Sequence, residues 1–140
     1  MKNHARRTTG IDRALRLATV AVGLGVLIGS LGPPPGEGAL PVSDKVVHLA
    51  SYFLFTFLAL LGFVGRPGGR VLPAEIGYAL VVAVIAAGAL IEFLQTLVSR
   101  DLELLDAVAN ATGSGLALAL WLVVLRRAGA AHHTAPDSSR

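Results

Sequence analysis

Apolar residues fall into four long runs, each closed by turn-forming or charged sequence. The runs cover about Leu15 to Leu31, Val46 to Val64, Ile76 to Val98 and Leu105 to Leu125. A helix needs about 20 mostly apolar residues to cross a hydrocarbon core near 30 Å thick, and each run approaches that length. Gly32-Pro33-Pro34-Pro35-Gly36 closes the first, because proline has no amide donor and clashes inside a helix. Gly65-Arg66-Pro67-Gly68-Gly69-Arg70 separates the second from the third, and Ser99-Arg100-Asp101-Leu102-Glu103 the third from the fourth. Strand-like alternation is missing, which argues against a barrel. The pattern predicts an all-α polytopic membrane protein, a bundle of four transmembrane helices. A basic N-terminus occupies 1–14, the helical domain 15–125, and a disordered tail 126–140. The first run is long for a cleavable signal and lacks a small-x-small site before Gly36, so it reads as a retained helix.

Composition agrees. Charged residues make up 15% of the 140 residues, against about 25% in soluble domains. The absence of cysteine excludes disulfides, thiolate metal sites and thiol catalysis. Twelve basic side chains raise the question of nucleic acid, and their positions answer it. Lys2, Arg6, Arg7, Arg13, Arg16, Arg66, Arg70, Arg126, Arg127 and Arg140 all fall on one side of the four-helix arrangement; Lys45 and Arg100 fall on the other. The positive-inside rule then predicts both termini in the cytoplasm. Basic residues at helix ends meet anionic headgroups, so no nucleic-acid partner is expected.

Topology leaves Asp44, His48, Glu92, Gln95, Arg100, Asp106 and Asn110 unexplained. Asp44, His48 and Tyr52 follow one another at single-turn spacing on the second helix, Glu92 and Gln95 stand i, i+3 on the third, and Asp106 and Asn110 i, i+4 on the fourth. Such spacings put side chains on one helix face, so three helices present polar faces at the outer end. Glu92 lies about 9 Å inside its run at 1.5 Å per residue. An ionisable group inside a membrane is by default a functional-site hypothesis; a polar clamp between helices is the plainer alternative. Asp44 beside His48 suits acid–base chemistry, although Ser43-Asp44 before an apolar run is also a good N-cap. Asp106 equally suits the positive end of its helix. Arg100 offers a fork that fits phosphate. One imidazole among carboxylates is a poor metal set, so no metal and no cofactor is expected. Gly25 and Gly29 form a small-xxx-small pair that would permit close helix contact.

The string Asp44-Lys45-Val46-Val47-His48 with Tyr52-Phe53 resembles the opening motif of the VanZ-like membrane family. Ile91-Glu92-Phe93-Leu94-Gln95 is similar to that family's Ile-Glu-x-x-Gln element, and Arg100 with Asp106, Ala109-Asn110 and Gly113 to its Arg…Asp-x-x-Ala-Asn-x-x-Gly element. The likeness spans about residues 15–125. It implies a small multi-helix protein of the bacterial cytoplasmic (inner) membrane, in a family whose founding members are associated with teicoplanin resistance. The expected function is to bind or modify a lipid-linked or cell-wall component at the outer leaflet. Glu92, His48, Asp44 and Asp106 are the candidate catalytic groups; Lys45, Gln95, Arg100, Asn110 and Tyr52 are the candidate substrate contacts. The alternative is a non-catalytic module that contacts an envelope-synthesis or transport partner, as a monomer or homo-oligomer.

Overall fold

The computed structural model describes the backbone of residues 2–31, 44–95 and 104–133, with side chains from 10 onward and up to 130. Four helices make up nearly all of it: α1 (Lys2–Leu31), α2 (Asp44–Ala59), α3 (Ala74–Gln95) and α4 (Leu104–His133). A π-helical turn, Leu60–Val64, continues α2. The segments Gly10–Leu31, Asp44–Val64, Ala74–Gln95 and Leu104–Ala130 are each long and apolar enough to cross a membrane. They fit a multi-pass membrane protein, as the four runs predict. Among the described residues no strand forms; Gly65 and Val71 make an isolated antiparallel bridge across the turn between α2 and α3.

Two helices outrun their apolar segments. α1 begins at Lys2, inside the segment set apart as a basic N-terminus, and α4 continues to His133, through the first part of the tail expected to be disordered. Alanine and arginine are strong helix formers, and the sequence from Arg126 to Ala131 is built from them with one glycine. Residues 134–140 lie outside the described residues.

The buried faces follow the helical repeat. On α3 they are Gly77, Val81, Val84, Gly88, Glu92 and Gln95, a stripe spaced three or four residues apart. On α4 they include Asp106, Asn110, Ser114, Ala117 and Trp121. Leu60, Val64, Val81 and Trp121 form the apolar core at the end of the bundle where α2 finishes. The opposite faces carry exposed Leu24, Ile28, Val82, Leu90, Leu116 and Leu120. In water this would be a large apolar patch; in a bilayer it is the lipid-facing surface.

α2 packs most extensively against α4, and the two run in the same direction. Gly113 makes that crossing possible. A Cβ there would run into the carbonyl oxygen of Leu49 and lie 3.0 Å from the amide nitrogen of Phe53. The obstacle is backbone, which cannot swing aside as a side chain can. Gly25 and Gly29 do not serve as the close-contact pair expected of them, since a Cβ at either meets nothing within 4 Å. The helix side on which they sit turns to the surface. Elsewhere Thr56 donates to Ser114 Oγ at 3.1 Å, with both side chains fully buried.

Gly113→Ala is therefore expected to destabilise the bundle by about 1–3 kcal/mol, the usual cost of overpacking. Gly25→Ala should be neutral. Thermal melts of the two variants in the same detergent check this; equal melting temperatures would refute the close crossing.

Candidate functional site

Six of the nine candidate residues converge where α2 and α4 begin and α3 ends. Asp44 and His48 come from successive turns of α2, Glu92 from the last turn of α3, and Asp106 and Asn110 from successive turns of α4. Lys45 completes the set. Asp44 and Asp106 occupy the first turns of their helices, where the positive end of the helix favours a carboxylate.

Burial sorts the group. Glu92, Asp106 and Asn110 are 3%, 5% and 2% exposed. His48 is nearly closed off, with a side-chain exposure of 11%, whereas the Asp44 carboxylate is half exposed. Burial thus deepens from the half-exposed rim at Asp44 to Glu92.

The hydrogen bonds fix an order. Asn110 Nδ2 donates to Glu92 Oε1 at 3.2 Å. Its carbonyl oxygen, Oδ1, lies 3.0 Å from His48 Nδ1. A carboxylate accepts and an amide nitrogen donates, so Glu92 sets which end of the Asn110 amide faces His48. The amide oxygen then requires a proton on His48 Nδ1. Glu92 Oε1 itself stands 3.7 Å from that nitrogen. The other ring nitrogen, Nε2, faces Asp44 Oδ2 and Asp106 Oδ2, each at 3.8 Å. Lys45 Nζ pairs with Asp106 Oδ1 at 3.2 Å. That contact is a charge pairing without hydrogen-bond geometry, because Asp106 Oδ1 is buried with no hydrogen-bond partner.

The remaining described candidates differ in their relation to this network: Tyr52 lies within reach of the Glu92 charge, and Gln95 turns away from it. Tyr52 is buried with its ring against Gly88, where a Cβ would come 2.9 Å from Cε1; it packs one turn along α3 from Glu92. Gln95 turns toward α1 and donates to the Ser30 carbonyl at 2.6 Å. Its spacing from Glu92 suggests a shared face, but at the end of α3 that face divides between two neighbouring helices. Arg100 and the capping candidate Ser43 lie outside the described residues, as do the side chains of His132 and His133.

A second polar locus, at the opposite end of the bundle, was assigned by the sequence only to topology. The Arg16 Nε–H donates to the Gly62 carbonyl in the π turn at 2.9 Å, and its guanidinium lies 5.6 Å from the Phe63 ring centre. Arg66 pairs with Asp12 at 2.8 Å. Trp121 Nε1 donates to the Gly65 carbonyl at 2.7 Å, and Gly65 takes φ +147°, a value disfavoured for residues with a Cβ. A cavity of about 250 Å³ opens among Asp12, Arg16, Gly62 and Arg70. No sequence motif marks this end; a π turn leaves no signature in hydropathy.

Comparison of the chain with protein-family models, curated proteins and solved structures gives no match.

Asn110 holds His48 and Glu92 together, so Asn110→Ala should cost more than one ordinary contact. Interhelical hydrogen bonds in membranes average about 0.6 kcal/mol, and a buried carboxylate losing a donor adds to that. The expected loss is about 1–3 kcal/mol, read from reversible unfolding in mixed micelles. An unchanged unfolding midpoint would show that the network bears no load.

Proposed function

We propose that this protein is a VanZ-like component of the bacterial cell envelope, seated in the cytoplasmic membrane with both termini inside. It binds, or acts on, a lipid-linked or cell-wall component at the outer leaflet. The convergence of Asp44, Lys45, His48, Glu92, Asp106 and Asn110 from three helices at one end of the bundle carries this reading. An apolar bundle gains nothing in stability from three carboxylates there, and buried ionic groups are weak stabilisers. The half-open rim gives a headgroup access, and Lys45, 34% exposed in its side chain, is placed to meet a phosphate. Arg100 is the second cation in this reading. His48 and Glu92 are the groups able to hold or move a proton, with Asp44 and Asp106 orienting the imidazole. A contribution to teicoplanin-type resistance belongs to the same proposal and rests on the motif resemblance.

A purified-protein binding assay with a polyprenyl diphosphate lipid in nanodiscs tests this. Lys45→Ala combined with Arg100→Ala is expected to weaken binding at least tenfold; equal binding by wild type and variant would overturn the reading. Orientation has its own check. Ser43→Cys and Ser99→Cys should react with an impermeant maleimide from outside intact cells, and Arg66→Cys only after permeabilisation. Labelling of Ser43→Cys and Ser99→Cys from the cytoplasm alone would refute the outer-leaflet site.

The Gln95–Ser30 and Thr56–Ser114 bonds favour a second reading, in which polar residues serve as interhelical glue and the protein acts by contacting an envelope partner. It expects Glu92→Gln to lower the amount of folded protein. Normal accumulation of Glu92→Gln with loss of an envelope-antibiotic phenotype, in a deletion strain, would count against it.

A further inference from the structure

We infer that Asp44, His48 and Asp106 form a binding site for a divalent first-row transition cation, with zinc as the probe. The inference rests on reading the outer-end cluster as a ligand site, but not on any particular envelope substrate.

The decisive feature is the direction in which His48 points. Its Nδ1 is committed to the Asn110 carbonyl oxygen, so in a neutral ring the Nε2 lone pair is the one that faces outward. It faces two carboxylate oxygens, Asp44 Oδ2 and Asp106 Oδ2, each at 3.8 Å. A lone pair directed at two anionic oxygens is repulsive unless something positive stands between them. The positive ends of α2 and α4 lie behind the carboxylates and do not relieve that encounter. The candidate occupants are a proton on Nε2 and a metal ion.

Geometry and charge favour the ion. One ligand atom from each of the three residues lies within 4.8 Å of the others. A tetrahedral cation about 2.0–2.1 Å from its ligands sets them about 3.3 Å apart. Closing the two imidazole edges from 3.8 Å asks about half an ångström of each, and the half-exposed Asp44 side chain at the rim can also close the edge between the carboxylates, which lies within 4.8 Å. Among the described residues the cluster holds three carboxylates and the Lys45 ammonium. A dication between the imidazole and the two aspartates offsets their charge directly, and unbalanced charge is costly where Asp106 is buried. The imidazole ligand selects against magnesium and calcium, which prefer oxygen donors.

The surrounding residues match what metal sites require beyond their ligands. A ligating histidine usually donates its second N–H to an oxygen that fixes its tautomer; Asn110, held by Glu92, does so here. A ligating carboxylate is commonly held through its free oxygen, and Lys45 holds Asp106 Oδ1. Three protein ligands leave a fourth position toward the rim. An anionic oxygen of a bound headgroup would enter there, beside Lys45.

The sequence argued against a metal because a set of His48, Glu92 and Asp106 offers a single imidazole. In the folded chain Glu92 reaches the opposite nitrogen of the ring, and Asp44 takes its place in the ligand set.

The test uses the full chain in detergent, stripped with EDTA, in a His132→Ala, His133→Ala background that removes tail histidines as adventitious ligands. Isothermal titration with zinc chloride and metal analysis of the protein after gel filtration read the outcome. The expected result is one zinc per chain, with magnesium at least 100-fold weaker. His48→Gln and Asp106→Asn should abolish binding. Asp44→Asn, at the half-exposed rim, should weaken it at least tenfold in stripped protein that still elutes as the folded species on gel filtration. Substoichiometric zinc in the parent protein, or equal affinity in parent and Asp44→Asn, would overturn the proposal and assign Nε2 to a proton. Zinc binding without lipid and lipid binding without zinc are measured separately, so failure of one reading is told apart from failure of the other.

Discussion

The arrangement of this bundle depends on a carboxylate that has no water to turn to. Glu92 sits near the end of a helix whose buried face before it is valine and glycine, and its exposure is 3%. Once it is placed there, its neighbours are constrained in sequence. Asn110 must offer its amide nitrogen, so its oxygen must face His48, so the imidazole must carry its proton on Nδ1. The protonation pattern of a ring on α2 is thereby set from α3 through a side chain on α4. Three helices are brought into register by one chain of donors and acceptors, and a shift of any helix by a turn would break it.

That chain of hydrogen bonds works only because α2 and α4 approach closely. Gly113 lies one turn from Asn110 and permits the backbone of α4 to press against Leu49 and Phe53. A side chain at that position would hold the helices apart and draw Asn110 away from His48. Small residue and polar residue are thus parts of one device: the first brings the backbones together, and the second uses the proximity. Thr56 and Ser114 repeat the pattern further along the same pair of helices. The polar network and the packing of this crossing are coupled, so substitutions in one are felt by the other.

Much of this was legible in the sequence, for identifiable reasons. Four apolar runs of membrane-spanning length announce four helices because lipid leaves the backbone few alternatives. Asp44, His48, Glu92, Asp106 and Asn110 stood out because polar residues are rare in such runs and helical spacing puts them on common faces. What spacing does not give is the azimuth of each helix. Gln95 shares a face with Glu92 by count, yet it reaches α1, because two neighbours divide that face at the helix end. Gly25 and Gly29 have the form of a contact motif yet lie on an exposed face, while Gly113, four residues from Ala109, makes a close backbone approach. The reach of α4 to His133 was hidden because hydropathy marks where lipid ends, not where helix does.

The π turn at Leu60–Val64 has a consequence for how the chain tolerates length changes. A π turn holds one residue more than the α-helical turn it replaces, and each α-helical residue rotates the chain by about 100°. The surplus residue turns Gly65 so that its carbonyl meets Trp121, and it leaves the Gly62 carbonyl open to Arg16. Deleting any one of the five residues would give α2 a regular hydrogen-bond ladder to its end, a local gain in helix order. The same deletion would rotate Gly65 out of reach of the indole and displace the Gly62 carbonyl from Arg16. In this protein a more regular helix would make a worse bundle.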